Sequence, residues 1–304
     1  MKHVKLPLPS LLLLLFVFLA SCEKITLNDE PGKNPSGSQQ SGNACISIHI
    51  GGVGNTEYNN SETKCTRAIE PVQNVCSRMS ISLYREDGTR VFCVNKKSTD
   101  ADFCDVSMKV AEGKYSLLVV AHSNEKNAAT TDLNKVTFDG KVSDTFHYFE
   151  KVELKAGDNP YNITLNRVTA MFRLEIIDEV PESARQLKFY YTGGSSTLDG
   201  ATGYGCVNSK QTEVRDIVNG TNIFDIYTFP HADGRLLKVS VTALDASGNA
   251  LCEQTFENVS VRRNVITHYR GKFFGSITPP TPSDDYDLNI SVDTDWLEEN
   301  VVDF

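Results

Sequence analysis

Residues 106–121 read VSMKVAEGKYSLLVVA, and the fold class follows from how this stretch divides. Val106, Met108 and Val110 alternate with polar residues, which is the two-residue period of a strand with one face covered. Glu112-Gly113 marks a turn. Tyr115 to Ala121 is then apolar almost throughout, as expected of a strand covered on both faces.

The alternation recurs to either side. Upstream it appears at Ile46, Ile48 and Ile50 and at Met79, Ile81 and Leu83; downstream at Tyr161, Ile163 and Leu165, then at Val168, Ala170, Phe172, Leu174 and Ile176. The second half repeats it at Leu187, Phe189 and Tyr191, at Phe224, Ile226 and Thr228, and at Leu237, Val239, Val241 and Ala243. Asp87-Gly88, Asp139-Gly140, Gly157-Asp158, Asp233-Gly234 and Ser247-Gly248 punctuate the runs as turns. Helical periodicity is nearly absent. Short strands at this spacing predict an all-β chain of antiparallel β-sandwiches.

An internal echo divides the body in two. FEKVEL at 149–154 is followed by Asn159 and Ile163-Thr164, and FENVSV at 256–261 by Asn264 and Ile266-Thr267. Each copy falls near the end of a half, so two tandem sandwiches are expected over 45–165 and 166–275. Residues 276–304 form a separate tail. Thr278-Pro279-Pro280-Thr281-Pro282 is extended and non-helical, and it leads to an alternating strand at Tyr286, Leu288, Ile290 and Val292. That strand either completes the second sandwich or is offered to a neighbour's sheet edge.

The N-terminus is of another kind. Lys2, His3 and Lys5 precede an apolar run from Leu11 to Ala20, too short for a resident bilayer helix of about 20 residues but suited to a signal peptide over 1–21. Leu19-Ala20-Ser21-Cys22 is the junction that bacterial lipoprotein signal peptidase accepts, so Cys22 is expected to carry diacylglycerol; the alternative is an ordinary secretory signal whose following cysteine joins a disulfide. Each buried acyl methylene contributes about 0.8 kcal/mol, and two chains suffice for stable anchoring. Residues 22–44 are then a lipidated tether, poor in apolar side chains and rich in Pro, Gly, Ser and Gln.

Formal charge is -9, from 30 Lys and Arg against 39 Asp and Glu. That balance disfavours a phosphate-backbone partner, and no basic cluster with interleaved aromatics suggests nucleic acid. Seven cysteines remain beyond Cys22, none spaced as CxxC. An exported chain can form disulfides, and Cys93 with Cys104, flanking the polar stretch Val94 to Phe103, is the pair to test; unpaired thiols are the alternative. His49, His122, His147, His231 and His268 are scattered, with no HExxH and no GxSxG elbow. No cofactor, metal or enzymatic activity is expected. The glycine-rich stretch Gly193 to Gly205 lacks the lysine and spacing of a phosphate-binding loop, and reads as a long loop with either a structural or a binding role.

Taken together these features resemble the FimB-type fimbrial anchor lipoproteins of Bacteroidales, associated with type V pili. The resemblance rests on LASC at 19–22, the polar tether, EGKYSLLVVA at 112–121 and LNRVTAMFRL at 165–174. It implies two transthyretin-like domains on a lipid-anchored, surface-facing outer-membrane protein, palmitate-bearing at Cys22, that attaches a fimbria and has fimbrial subunits as partners. No catalytic residue carries over. The five cysteines from Cys45 to Cys104 exceed what such a family leads one to expect.

Two further functions compete with the anchor. In polymerising subunits of such pili an arginine-directed protease removes the lipid-bearing first strand, and here Arg67 lies between the strand at Ile46–Ile50 and that at Met79–Leu83. An adhesive glycan-binding module would instead need exposed aromatics on loops, for which Tyr191 and Tyr204 are the candidates.

Overall fold

The computed structural model describes residues 42–54, 70–218, 220–275 and 298–304. Strands dominate, as the alternation predicts, and the helix α1 (Val72–Val75) is a single turn.

The first half contains β1 (Ala44–Gly54), β2 (Arg78–Arg85), β3 (Arg90–Lys97), β4 (Asp105–Val110), β5 (Gly113–His122), β6 (Thr145–Leu154) and β7 (Gly157–Arg167), in the sheet order β3-β2-β5-β6-β7-β1-β4. Between β6 and β7 the ladder consists of Phe146 opposite Arg167 and His147 opposite Asn166. Beyond those rungs the strands separate, and the sheet folds over itself so that Ile46, Ile48, Met79, Ile81, Leu117 and Val119 share one core.

The apolar run of β5 has a direct explanation. Leu117, Val119 and Ala121 face that core, whereas Leu118 and Val120 join a separate cluster with Tyr84, Val136, Leu198 and Phe229. A strand buried on both faces loses its alternation. The covering layer comes from the segment after β5 and from the second half of the chain, so this cluster packs the two halves together.

The second half contains β8 (Ala170–Ile176), β9 (Gln186–Thr192), β10 (Leu198–Asp199), β11 (Tyr204–Gly205), β12 (Gln211–Asp216), β13 (Ile223–Thr228), β14 (Leu237–Leu244), β15 (Ala250–Val259), β16 (Val265–Gly271) and β17 (Glu298–Asp303). β10 and β11 form a two-stranded sheet of their own, and two four-stranded sheets run β12-β9-β14-β15 and β13-β8-β16-β17. The two four-stranded sheets enclose a core that includes Phe172, Leu174, Phe189, Tyr191, Val239 and Val241.

Most pairings are antiparallel. The departures are β1 with β7, β8 with β16 and β16 with β17, all parallel. In each half the first strand therefore pairs with the strand that closes the echo. The end of the tail, Glu298–Asp303, adds to the edge of its own sheet; the strand expected at Tyr286 to Val292 lies outside the described residues.

Arg167, at the end of β7, holds the junction. Its Nε lies 2.9 and 3.1 Å from the Asp144 carboxylate oxygens, one Nη donates to Asp144 Oδ2 at 2.9 Å and the other to Asn264 Oδ1 at 3.0 Å. The Thr169 hydroxyl donates to Asp144 Oδ1 at 3.0 Å, and the guanidinium sits 4.7 Å from the centre of the Phe146 ring. Asn264 takes the left-handed conformation, with φ of 57°, and donates its N–H to Thr169 O.

His122, at the end of β5, is fully buried. Its Nδ1 accepts the Asn124 N–H at 3.1 Å, and its ring meets Phe138 edge-on at 5.1 Å. Burial, and secondarily the Arg78 charge, lower its pKa to about 4. A base depressed in the fold takes its proton first in the unfolded chain, whose imidazole titrates near 6.5. This contribution is complete above about pH 6.5 and is lost as the pH falls toward 4, for a total of about 3 kcal/mol. Chemical denaturation at pH 7 and pH 4.5 should show most of that loss, and His122→Asn, which keeps an acceptor for Asn124, should flatten it.

Candidate functional site

The first strand of the body, β1, sits inside its sheet, between β7 and β4. Its register with β4 runs from Ala44 opposite Val110 to His49 opposite Asp105, and with β7 from Ala44 opposite Gly157 to Gly54 opposite Asn166, with a bulge between Ile50 and Gly52. Alternation sends Ile46, Ile48 and Ile50 into the core and leaves Ser47 and His49 exposed.

The outer face of β4, β1 and β7 carries a depression of about 410 Å³ lined by Ser47, His49, Asp102, Asp105, Ser107 and Asn162 among others. His49 Nδ1 lies 2.8 Å from Asp105 Oδ1, with both side chains more than half exposed. A solvated pair of this kind contributes little to stability. Among the described residues no group of three or more His, Cys, Asp or Glu is arranged to hold a metal.

The glycine-rich stretch Gly193 to Gly205 is built into the contact between halves. Ser195 and Leu198 are buried, and Leu198 exchanges both backbone hydrogen bonds with Val136. A Cβ at Gly200 would lie 2.7 Å from Leu133 O and 3.0 Å from Leu118 Cδ2, so glycine is required there by close approach. His147 completes the contact through Nε2, 2.6 Å from Gly200 O, and burial holds its pKa down. The structural role of this loop is thus visible.

The aromatics considered for sugar stacking are placed otherwise. Tyr191 is fully buried, its hydroxyl donating to the buried Glu213, and burial with that carboxylate pushes the phenol pKa up. One face of Tyr204 is covered by Arg263, whose Cζ is 3.8 Å from the ring centre.

Cys93 and Cys104 are not joined. Both are free thiols, as are Cys45, Cys76, Cys206 and Cys252. Cys93 Sγ lies 3.6 Å from Thr130 Oγ1, whereas Cys104 Sγ donates to Gln73 Oε1 at 3.4 Å. The reason is local: β3 continues through Val94 to Lys97, and the turn that follows carries Cys104 toward α1. Burial pushes the Cys76 thiol pKa strongly up, which keeps it protonated and unreactive. Cys22, Cys65 and Arg67 lie outside the described residues.

Two features escaped the sequence reading. One is the Asp144–Arg167 junction, whose members are far apart in the chain. The other is Asp178, just after β8: its Oδ1 accepts the N–H of Phe273 at 2.8 Å, and its Oδ2 those of Phe274 at 2.8 Å and Gly275 at 2.7 Å. The carboxylate pins the chain where it leaves β16.

A comparison with curated proteins found no match. Among solved structures, a candidate adhesin from Bacteroides ovatus is similar at 13% identity and a TM-score of 0.47, over 69% of this chain and 75% of that one. The fimbrial anchor protein Mfa2 from Porphyromonas gingivalis is similar at 13% identity and a TM-score of 0.41, over 69% and 81%. The tip fimbrial protein Mfa3 from the same organism is similar at 10% and 0.37, over 70% and 81%. The description of one protein family, recorded as a family of unknown function (DUF6562), matches residues 43–303, and the chain belongs to that family.

Proposed function

We propose that this chain is a lipoprotein of the bacterial outer membrane, held through Cys22, that serves as the base of a fimbria and meets fimbrial subunits through strand contacts. The observation that supports it most is the position of β1. The strand nearest the lipid-bearing tether is bonded on one side to β4 and on the other to β7, so the membrane attachment is continuous with the interior of the fold. A lipid-bearing segment that leads into a core strand suits a fixed base. The reading assigns the chain no reaction.

The same position gives the polymerising alternative its meaning. Cleavage after Arg67 would separate β1 from the rest of the chain and leave β4 and β7 without their shared neighbour. Retained, β1 keeps the lipid on the body; cut, it makes the lipid a delivery address. The glycan-binding alternative loses support from Tyr191, which is buried.

Mass spectrometry of the protein from its host membrane, with palmitate labelling of the wild type and of Cys22→Ser, tests this. The expected result is an uncut chain beginning at a diacylated Cys22, with no label in the variant. A mature chain starting at Ala68 would overturn the anchor reading, and label persisting in Cys22→Ser would overturn the lipid site.

A further inference from the structure

Tension along a strand acts on its hydrogen bonds in one of two ways. If the neighbouring strand is held at the opposite end, every rung is loaded at once and the pair must shear. If the neighbour is held at the same end, the rungs open one at a time. Strand direction and the points where the chain enters and leaves decide between them.

In the first half the tether enters at Ala44. Its parallel neighbour β7 starts at the same end, with Gly157 opposite Ala44, and leaves at the far end, where Asn166 is opposite Gly54. From Arg167 the chain passes through Val168 and Thr169 into β8. A load that arrives at Ala44 and is borne by the second half therefore pulls β1 and β7 in opposite directions along their axes.

The arrangement repeats. Load enters β8 at Ala170, and β16 lies parallel to it, from Ile266 opposite Met171 to Gly271 opposite Ile176, with β17 parallel beyond. A load borne where β16 ends again acts in shear. Among the described strands, parallel pairing occurs at these places, in sheets otherwise antiparallel.

Both exits are also pinned by charge-assisted hydrogen bonds, which are stronger than neutral ones. Arg167 is clamped to Asp144 and Asn264 where β7 ends. Asp178 accepts three backbone N–H groups where the chain leaves β16.

We infer that the body is built to carry tension from its N-terminal tether to the far end of its second half, with β1/β7 and β8/β16 as the two shear ladders. The inference rests on the membrane-tethered reading, because a chain held at its N-terminus meets load in this direction.

Single-molecule force spectroscopy tests it on the mature chain carrying Cys22→Ser, handled by peptide tags. One geometry pulls from an N-terminal and a C-terminal tag. The other pulls from the N-terminal tag and a tag inserted between Ala111 and Glu112, so that β1 and β4 are drawn apart from the end where Ala44 faces Val110. The expected result is a severalfold higher rupture force in the first geometry at the same pulling speed, the released contour length identifying which half opens. Equal forces would overturn the inference. This measurement is blind to lipid, so its failure and the failure of labelling at Cys22 are separate results.

Discussion

Replacing Arg167 by Met should cost about 3 kcal/mol of stability, the usual consequence of removing one partner of a buried ion pair. The side chain is 7% exposed, and its guanidinium meets the Asp144 carboxylate through Nε and one Nη. Without it, Asp144 keeps the Thr169 hydroxyl but no countercharge, and Asn264 Oδ1 loses a charged donor. The damage is at the connection between halves, so the denaturation curve should broaden as well as shift. The double variant Arg167→Met with Asp144→Leu should recover most of the loss, since replacing a whole buried pair by apolar groups is often neutral. Equal destabilisation in single and double variants would show that the pair acts through its packing alone.

The strands were legible because burial on one or two faces leaves a period in the chain. VSMKV at 106–110 and SLLVVA at 116–121 differ in whether a second layer lies above them, and the structure places that layer over Leu118 and Val120. Tyr191 illustrates a signal set aside: its alternation with Leu187 and Phe189 already pointed it inward, where it is found. Val94 to Lys97 reads only as part of a polar stretch because an edge strand with mostly half-exposed side chains has no strong period. The parallel pairing of β1 with β7 was not legible at all, since hydrophobic alternation reports the face a residue occupies and not its neighbour. Likewise the glycines of 193–205 look alike whether they approach a ligand or, as Gly200 does, another stretch of backbone.

A chain beginning at Ala68, and so lacking β1, should lose its cooperative unfolding transition. Burial of each isoleucine side chain contributes about 1.5–3 kcal/mol, and Ile46, Ile48 and Ile50 are all essentially buried. With Ala44 and Val53, also buried, the loss is on the order of 10 kcal/mol, comparable with the whole stability of a typical domain. The backbone suffers too, because β4 and β7 lose a shared neighbour and their facing N–H and C=O groups go unpaired. A synthetic peptide of residues 42–54 added in trans should restore a sharp transition, whereas the same peptide with Ile48→Asp should not, since it would bury a carboxylate beside the core. Calorimetry of the truncated chain with each peptide reads both effects. A truncated chain as stable and cooperative as the intact one would mean that β1 is an accessory strand, and would remove the structural support for both the retained anchor and the cleaved subunit. Restoration by the peptide alone would instead place the decision between those two fates on whether the chain is cut at Arg67.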